Sequence, residues 1–234
     1  MEGVGGLPVG EEKKRAVREM FDRIAPRYDR LNRLLSMRLD QRWRREALQA
    51  LAPGPGDLLL DLACGTGDFL ELYGRRGGRA IGVDFSAGML RVAGSRGVPG
   101  ALLQSDASCL PLADGSVTIL TCGFALRNFV SLEDVIREVA RVLAPGGRIA
   151  LLEVDEPRSR LLRAGHGLYF NRLVPLIGGL LSDQSAYRYL PRSVSYLPPE
   201  AELLEMILRA GFTRVAKRRL SGGIVQLLTA ERTG

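Results

Sequence analysis

The sequence predicts an α/β fold in which a mostly parallel sheet carries helices on both faces and ends in an antiparallel pair of strands. Between residues 58 and 153, short apolar segments alternate with segments of helical periodicity, which is typical of parallel strands joined by crossover helices. The first apolar segment, residues 58–62, runs directly into a tight glycine turn. Segments 213–220 and 224–230 are separated by only three residues, so these two strands must pair antiparallel.

The first 52 residues precede the predicted sheet. Residues 1–10 are glycine-rich and are expected to form a disordered tail. Helical spacing of apolar residues begins at Glu11, and Pro26 is predicted to interrupt this helix. A second helix is predicted over residues 28–52, with leucines on one side and many arginines on the other. This basic face is either an ordinary solvated surface or a surface with a membrane or lid role.

The remaining elements follow from apolar segments and their punctuation. Ser86 and Ser131 each precede a helical segment and are predicted N-caps. Pro145, Gly146 and Gly147 are predicted to end one helix and to turn the chain into the next strand. The predicted strands beyond the first are 79–83, 101–104, 117–121 and 148–153, and the predicted helices are 68–74, 86–94, 132–143 and 200–210.

Length and composition predict one domain over residues 11–234. The chain has 234 residues, 46% of them hydrophobic, which is enough for one well-buried core. We divide the domain into N-terminal helices at 11–52, a core at 53–153, an inserted helical cover at 154–196, and a C-terminal helix and hairpin at 197–234.

The net charge of +7 is concentrated outside the predicted core. Residues 1–50 hold 12 basic and 8 acidic side chains, residues 154–196 hold 6 and 3, and all other residues hold 15 and 15. An excess of this size raises nucleic acid or an anionic membrane surface as partners.

Cysteine usage and hydropathy favour a cytoplasmic protein. The three cysteines, Cys64, Cys109 and Cys122, show no paired spacing, which argues against disulfides and against zinc. The sequence opens without a recognisable signal peptide. Its longest apolar run, residues 173–181, is far shorter than the roughly 20 residues that span a bilayer.

The turn after the first predicted strand has the character of a small-molecule site. Gly65 and Gly67 let the backbone turn sharply and approach a ligand closely. Seventeen residues beyond Gly67, Asp84 ends the second strand, where a carboxylate can hold the two hydroxyls of a ribose. Leu70 stands where the dinucleotide fingerprint has its third glycine, so we expect a nucleoside-bearing cofactor without a pyrophosphate.

The Asp-x-Ala-x-Gly-x-Gly turn at residues 61–67, joined to the strand pattern, resembles the seven-stranded, Rossmann-like class I methyltransferases that use S-adenosylmethionine. The alternative for Asp106 is an exposed loop carboxylate. The resemblance implies a cofactor site in which Asp61 belongs to the turn, Gly65 and Thr66 lie against the methionine part, Asp84 takes the ribose hydroxyls, Asp106 and Ala107 meet the adenine, and Gly123 leaves room near the methyl donor.

More specific words point to one family. The segment Tyr-Asp-Arg-Leu-Asn-Arg-Leu-Leu-Ser at 28–36 with Trp43, the segments 141–147 and 152–153, and the shorter words at 124–128, 187–191 and 222–225 resemble the ubiquinone and menaquinone biosynthesis C-methyltransferases. Two positions depart from that pattern. Asp40 stands where the family usually has histidine, for which we favour a packing or capping role, and Val154-Asp155 replaces residues that usually include serine. The one histidine, His166, lies in the insertion and is not expected to be catalytic.

The family resemblance implies methylation of a ring carbon on a prenylated quinol, with demethylmenaquinol first and a polyprenyl benzoquinol as the alternative. Arg127 and Asn128 follow the fourth strand and are candidates for stabilising the developing phenolate, directly or through water. Their ordinary alternatives are an ion pair for Arg127 and a turn cap for Asn128. Tyr28 is a candidate for closing the site from the N-terminal helices, and its alternative is an aromatic core residue.

The substrate class also implies partners. A polyprenyl tail stays in a membrane, so we expect transient, peripheral docking at an anionic surface, with the run 173–181 either sheathing the tail or forming an ordinary buried helix. A homodimer is a further expectation. The rival functions are an RNA methyltransferase, which the absence of an appended RNA-binding module disfavours, and a non-catalytic subunit that keeps only the fold.

Overall fold

A computed structural model describes residues 8–157, 159, 189 and 192–234. Two helices precede the sheet and the others lie between or before its strands. The helices are α1 Gly10–Leu35, α2 Leu39–Ala50, α3 Asp68–Gly74, α4 Ala87–Ser95, α5 Leu132–Val142 and α6 Glu200–Arg209. The strands are β1 Leu58–Leu62, β2 Arg79–Asp84, β3 Ala101–Gln104, β4 Val117–Gly123, β5 Leu143–Val154, β6 Phe212–Leu220 and β7 Val225–Arg232.

The seven strands form one sheet in the order β3-β2-β1-β4-β5-β7-β6. Strands β1 to β5 pair parallel, whereas β7 pairs antiparallel with both β5 and β6. The predicted fold class is therefore confirmed, including the C-terminal antiparallel pair. The strand order reverses between β1 and β4, and a reversal of this kind opens a crevice at the carboxyl ends of the strands.

Both faces of the sheet are covered, as its apolar strands require. On β1, Leu60 and Leu62 pack into one core with α5 and α6, and Leu59 packs into a second core with Trp43 of α2 and Phe69 of α3. A third, smaller core joins α1 to α4.

The prediction that Pro26 interrupts the first helix is wrong. Helix α1 continues through Pro26 to Leu35, and the break lies at Ser36–Arg38, where Met37 and Arg38 adopt positive φ values of 52° and 62°. Proline removes one backbone donor from a helix, but the flanking residues Ile24 and Ala25 are buried in the core that includes Met89 of α4. Tertiary packing therefore outweighs the local penalty.

The predicted turn at Pro145-Gly146-Gly147 also differs from the structure. Helix α5 ends at Val142 and passes directly into β5, which begins at Leu143 and contains the three residues. Strand β4 accommodates them through a register shift, because Val117 faces Leu143 whereas Ile119 faces Arg148. A Cβ on Gly147 would lie 2.7 Å from the Ala144 carbonyl oxygen, so this irregular passage depends on glycine.

The remaining predictions divide by position. Ser86 and Ser131 are N-caps as predicted, accepting hydrogen bonds from Met89 N and Asp134 N. Most of the predicted insertion 154–196 lies outside the described residues, with His166 and the run 173–181, and so do residues 1–7 of the predicted tail. Within the described ranges, no helix combines the length and the apolar character that a membrane crossing needs.

Candidate active site

A cavity of about 280 Å³ lies at the carboxyl ends of β1, β2, β3 and β4, beneath α1. The core contributes the turn after β1 and the loops after β2, β3 and β4, and α1 closes the cavity from above. The lining includes Lys14, Phe21 and Tyr28 of α1, Ala63 and Gly65 after β1, Asp84 and Phe85 at the end of β2, Asp106 and Ala107 after β3, and Gly123, Phe124, Asn128 and Phe129 from the end of β4 onward.

The glycine turn is locked to the end of β2 by two backbone donors. The Cys64 N–H donates to the Val83 carbonyl oxygen at 3.0 Å, and the Gly65 N–H donates to Asp84 Oδ2 at 2.8 Å. Gly65 has φ +55°, and a Cβ there would meet no atom within 4 Å. Glycine is therefore required at this position for its backbone conformation rather than for space.

Asp84 is held in one orientation and faces the cavity. Besides Gly65 N, the Ser86 N–H donates to its Oδ1 at 2.8 Å, so each carboxylate oxygen has one fixed donor and can accept another. Burial raises the pKa of Asp84 to about 6, and the backbone donors oppose this shift. A carboxylate with two free acceptor positions suits a pair of vicinal hydroxyl donors.

Asp61 carries a buried carboxylate oxygen without a partner. Its Oδ1 accepts from Thr121 Oγ1 at 2.9 Å, whereas Oδ2 has no hydrogen-bond partner among the described residues, and the residue is only 1% exposed. Burial raises the pKa of Asp61 to about 7. Asp61 does not line the cavity itself, but it immediately precedes Leu62 and Ala63, which do.

Asp106 and Ala107 line the cavity at its β3 end, as predicted. Asp106 Oδ1 accepts from the Ser108 N–H and hydroxyl, and Oδ2 forms an ion pair with Lys14 Nζ at 2.6 Å. Burial acts to raise the pKa of Asp106, but the hydrogen bonds from Lys14 and Ser108 outweigh it and the pKa lies below its usual value. Asp106 is thus a fixed anion at the wall of the cavity, tied to α1 by Lys14.

Thr66 and Gly123 occupy different places. Thr66 is buried and its hydroxyl donates to Asp29 Oδ1 of α1 at 2.5 Å, so its side chain points away from the cavity. Gly123 lines the cavity, and a Cβ there would lie 3.1 Å from a ring carbon of Phe69. Gly123 therefore keeps the end of β4 open beside the glycine turn.

Tyr28 and Asn128 face the same cavity, whereas Arg127 does not. The Arg127 guanidinium forms a buried ion pair with Glu153 Oε1 and donates to Ser193 Oγ at 3.1 Å and to the Phe124 carbonyl oxygen at 2.9 Å. Burial raises the pKa of Tyr28, and the positive charges of Arg44 and Arg127 oppose this shift. The predicted catalytic role of Arg127 stays a prediction, and its guanidinium has protein acceptors on several sides.

Asp40 also takes a structural position. It lies in the first turn of α2, where it accepts from Ser36 Oγ at 2.6 Å and from Arg44 Nη1 at 3.2 Å, and it is 1% exposed. These contacts are those of a capping and packing residue, as favoured from the sequence.

Sequence reasoning missed several residues of the cavity wall. Phe85 follows Asp84 directly and Phe129 follows Asn128 directly, so proximity to predicted residues was an available signal for both. Phe21 and Lys14 come from α1, at least 40 residues before the glycine turn, and no local signal places them at the cavity.

The fold is shared with solved methyltransferases. The chain solved in complex with the Haloferax volcanii Trm112 methyltransferase activator superposes with a TM-score of 0.68 at 17% identity, covering 92% of this chain and 98% of that one. Haemonchus contortus phosphoethanolamine N-methyltransferase 2, solved with S-adenosyl-L-methionine, has a TM-score of 0.62 at 14% identity, covering 82% of this chain and 53% of that one. At such identities the likeness concerns the fold alone, and with the cavity it defines the class: a seven-stranded class I methyltransferase.

The sequence comparisons are more specific. The family model of the ubiE/COQ5 methyltransferases matches residues 9–232, so this chain belongs to the ubiE/COQ5 methyltransferase family. A ubiquinone/menaquinone biosynthesis C-methyltransferase of Syntrophotalea carbinolica is 43% identical, over 92% of this chain and 94% of the relative. A demethylmenaquinone methyltransferase of Thermus thermophilus is 41% identical, over 91% of this chain and 100% of the relative. The family resemblance read from the short sequence words is confirmed, and so are methyltransferase activity and S-adenosylmethionine as the methyl donor.

Proposed function

We propose that this chain transfers a methyl group to a ring carbon of a prenylated quinol, with demethylmenaquinol as the first candidate. The support from relatives is their printed names, demethylmenaquinone methyltransferase and ubiquinone/menaquinone biosynthesis C-methyltransferase, at 41% and 43% identity. Because relatives carry both names, a polyprenyl benzoquinol is the alternative substrate.

The observation that carries this proposal is the order of the lining residues along the sheet edge. Asp106, Asp84, Gly65 and Gly123 follow β3, β2, β1 and β4, and these strands are neighbours in that order. Adjacent strands lie about 4.8 Å apart, so the four positions form a row across the cavity. Fixed acceptors occupy one end of the row and glycines the other, which suits a nucleoside at the first end and its reactive group at the second.

The donor set fits S-adenosylmethionine. Asp106 and Ala107 would hold the adenine, Asp84 the ribose hydroxyls, and the turn at Gly65 the methionine part. The unpartnered Asp61 Oδ2 supplies a buried negative charge behind that turn. When bound, the cofactor supplies a methyl group on a positively charged sulfur, which is open to attack by a nucleophilic carbon.

The protein must then prepare the ring carbon. A phenol carbon becomes a better nucleophile as the neighbouring hydroxyl loses its proton, so that oxygen must be held and its developing charge stabilised. Asn128 and Tyr28 line the cavity for this role. Asn128 Oδ1 accepts from the Tyr189 hydroxyl at 3.1 Å, which leaves the amide N–H groups as its donors toward the cavity.

Tyr28 acts as the second donor. Because burial raises its pKa above the ordinary value of 10.0, the phenol stays protonated at neutral pH. Arg127 supports both groups by its charge from its buried ion pair with Glu153, without touching the substrate.

Membrane docking is the finer part of the proposal, and the corner between α1 and α2 supports it. Leu34 and Met37 are 53% and 72% exposed there. Every carboxylate between residues 20 and 50 accepts hydrogen bonds or ion pairs within the protein, whereas the exposed charges of that stretch are arginines. Those carboxylates are Asp22, Asp29, Asp40 and Glu46, and the exposed arginines are Arg23, Arg27, Arg30, Arg38, Arg42 and Arg45. A basic, apolar-tipped corner suits an anionic lipid surface, and a homodimer remains a separate expectation.

The test of the function is direct. The full chain is incubated with methyl-labelled S-adenosylmethionine and a panel of reduced demethylated naphthoquinols, benzoquinols and total tRNA, followed by mass analysis of each product. We expect label on a ring carbon of the naphthoquinol and a lower rate with the benzoquinol. Label in tRNA, label on a hydroxyl oxygen, or no transfer to any quinol would contradict the proposal.

A further inference from the structure

A single arginine outside the cavity holds together the two elements that form it. Arg96, the C-cap of α4, donates from Nη1 to the Thr66 carbonyl oxygen at 2.9 Å and to Asp29 Oδ2 at 3.0 Å. Its Nη2 donates to Asp68 Oδ1 at 3.1 Å and to Glu71 Oε2 at 2.5 Å. One guanidinium thus contacts the glycine turn, the first turn of α3 and helix α1.

The contact with α1 is closed into a ring. Asp29 Oδ1 accepts from the Thr66 hydroxyl at 2.5 Å while its Oδ2 accepts from Arg96, so the three residues bind one another in pairs. Asp29 is the immediate neighbour of Tyr28, which lines the cavity. The ring therefore fixes the distance between the turn that forms the cavity floor and the helix that forms its roof.

The surrounding charges need Arg96 for balance. Asp68 also accepts from Arg33 Nη2 at 3.4 Å and from Gln41 Nε2 at 3.0 Å, so α1 and α2 both reach it. Asp29 has Arg96 as its one printed ion-pair partner, and Glu71 shares Arg96 with the exposed Arg75. Without Arg96, three carboxylates from α1 and α3 converge with fewer cations between them, and they repel one another at close range.

We propose that Arg96 is a positioning residue that seats α1 on the glycine turn, so that the cofactor floor and the Tyr28 roof of the cavity form together. Arg96 touches neither the cavity nor the reacting groups and acts through Thr66 and Asp29. The inference rests on the proposed assignment of the cavity to cofactor and quinol. Its consequence is that bound cofactor and a seated α1 stabilise each other, because linkage between two equilibria is reciprocal.

The variant Arg96→Met tests this, with Arg91→Met as the matched control. Arg91 lies on the same helix α4, is exposed, and bonds only to the Ala87 carbonyl oxygen within its own helix. Two quantities are measured on the full chain: the Kd for S-adenosylmethionine by calorimetry, and the rate of trypsin cleavage after Arg23, Arg27 and Arg30 of α1, with and without saturating cofactor.

For Arg96→Met we expect a Kd about tenfold higher, cleavage of α1 about tenfold faster, and loss of the protection that cofactor gives to α1 in the wild type. Arg91→Met should match the wild type in all three readouts, and Arg96→Lys, which keeps the charge with fewer donors, should fall between. If Arg96→Met does not fold, Asp29→Asn replaces it, because this variant removes the ion pair while keeping the side-chain shape.

The outcomes separate the two proposals. A Kd within twofold of the wild type together with unchanged cleavage of α1 would overturn the role of Arg96. Failure of the wild type and of Arg91→Met to bind S-adenosylmethionine would instead overturn the assignment of the cavity.

Discussion

The backbone N–H of Gly65 donates to Asp84 Oδ2 at 2.8 Å, which joins the turn after β1 to the end of β2 across 19 residues of sequence. The same carboxylate is thus part of the fold of the turn and the acceptor that faces the cavity. Strand pairing explains this contact, since Leu62 is paired with Val83 and the next residues of both strands must meet. Structure and binding are therefore inseparable at Asp84, and a substitution there should affect both.

Asp84→Ala should weaken binding of S-adenosylmethionine by about 10- to 100-fold, since a hydrogen bond to a charged group is worth roughly 1.5–3 kcal/mol. The free Gly65 and Ser86 N–H groups should also loosen the turn. Calorimetric titration measures the Kd, and Glu133→Gln, an exposed residue of α5, is the control. Equal affinities for the two variants would contradict the role of Asp84.

The buried Asp61 predicts a dependence of stability on pH in the cofactor-free protein. Burial raises its pKa from 3.8 to about 7, so between these values the folded chain keeps a proton that the unfolded chain has lost. The free energy of unfolding contributed by Asp61 is thus fully present below pH 4 and is lost as pH rises through about 7. At roughly 1.4 kcal/mol per unit, the loss is on the order of 4 kcal/mol.

Asp61→Asn isolates this effect, because asparagine does not titrate. Urea unfolding of both proteins from pH 4 to pH 8 should show the wild type losing stability relative to the variant as pH rises. Any cost from the variant's unpaired amide is the same at every pH and shifts the curve without tilting it. Parallel pH profiles for the two proteins would show that Asp61 does not titrate in this range.

The elements with local signals were predictable from the sequence. Strand β1 and the glycine turn follow from four leucines and two glycines, and the caps Ser86 and Ser131 from residue type and position. The continuation of α1 through Pro26 was not, because the buried contacts of Ile24 and Ala25 with the α4 region join residues more than 60 positions apart. Local rules fail where distant packing decides.

The site shows the same division. Spacing alone placed Asp84 beside the turn, since strand lengths fix where β1 and β2 end together. It could not decide whether Arg127 faces substrate or an acid, because Glu153 becomes its neighbour only through the pairing of Gly123 with Leu152 in β4 and β5. Lys14 reaches Asp106 from 92 residues away, and only the placement of α1 over the sheet brings them together.

The Arg127–Glu153 pair should be a stability determinant. Glu153 is fully buried and Arg127 is 6% exposed, so Glu153→Ala leaves an unpaired buried charge and should lower the free energy of unfolding by about 3–5 kcal/mol. The double variant Arg127→Met, Glu153→Ala should lose less than the sum of the two single variants. Urea unfolding of the four proteins gives the coupling energy, and additivity within about 0.5 kcal/mol would contradict a direct pair.

Tyr28→Phe should separate catalysis from cofactor binding. The ring keeps its place against Phe21, at a centroid distance of 6.2 Å, but the donor to the quinol oxygen is lost. We expect kcat for methyl transfer to fall about 100-fold, the usual effect of removing one donor to a developing oxyanion, with a Kd for S-adenosylmethionine within twofold of the wild type. The control is Tyr73→Phe, whose hydroxyl donates to the Asp57 carbonyl oxygen outside the cavity. A kcat equal to that of the control would exclude Tyr28 from the chemistry.

The corner between α1 and α2 should govern binding to membranes. Leu34 and Met37 project beside exposed arginines, so Leu34→Glu with Met37→Glu removes apolar surface and adds like charge to an anionic bilayer. Sedimentation with phosphatidylglycerol vesicles should show at least tenfold weaker binding of this variant, and wild-type binding should weaken as salt rises because screening shortens the range of the attraction.

The same substitution should leave the reaction intact on a soluble, short-chain quinol, because neither residue lines the cavity. Activity on a long-chain quinol presented in vesicles should fall with the loss of binding. Leu208→Glu is the matched control, since Leu208 is also 53% exposed but lies on α6. Wild-type binding that does not respond to salt, or equal binding by the corner and control variants, would place the membrane contact elsewhere on the protein.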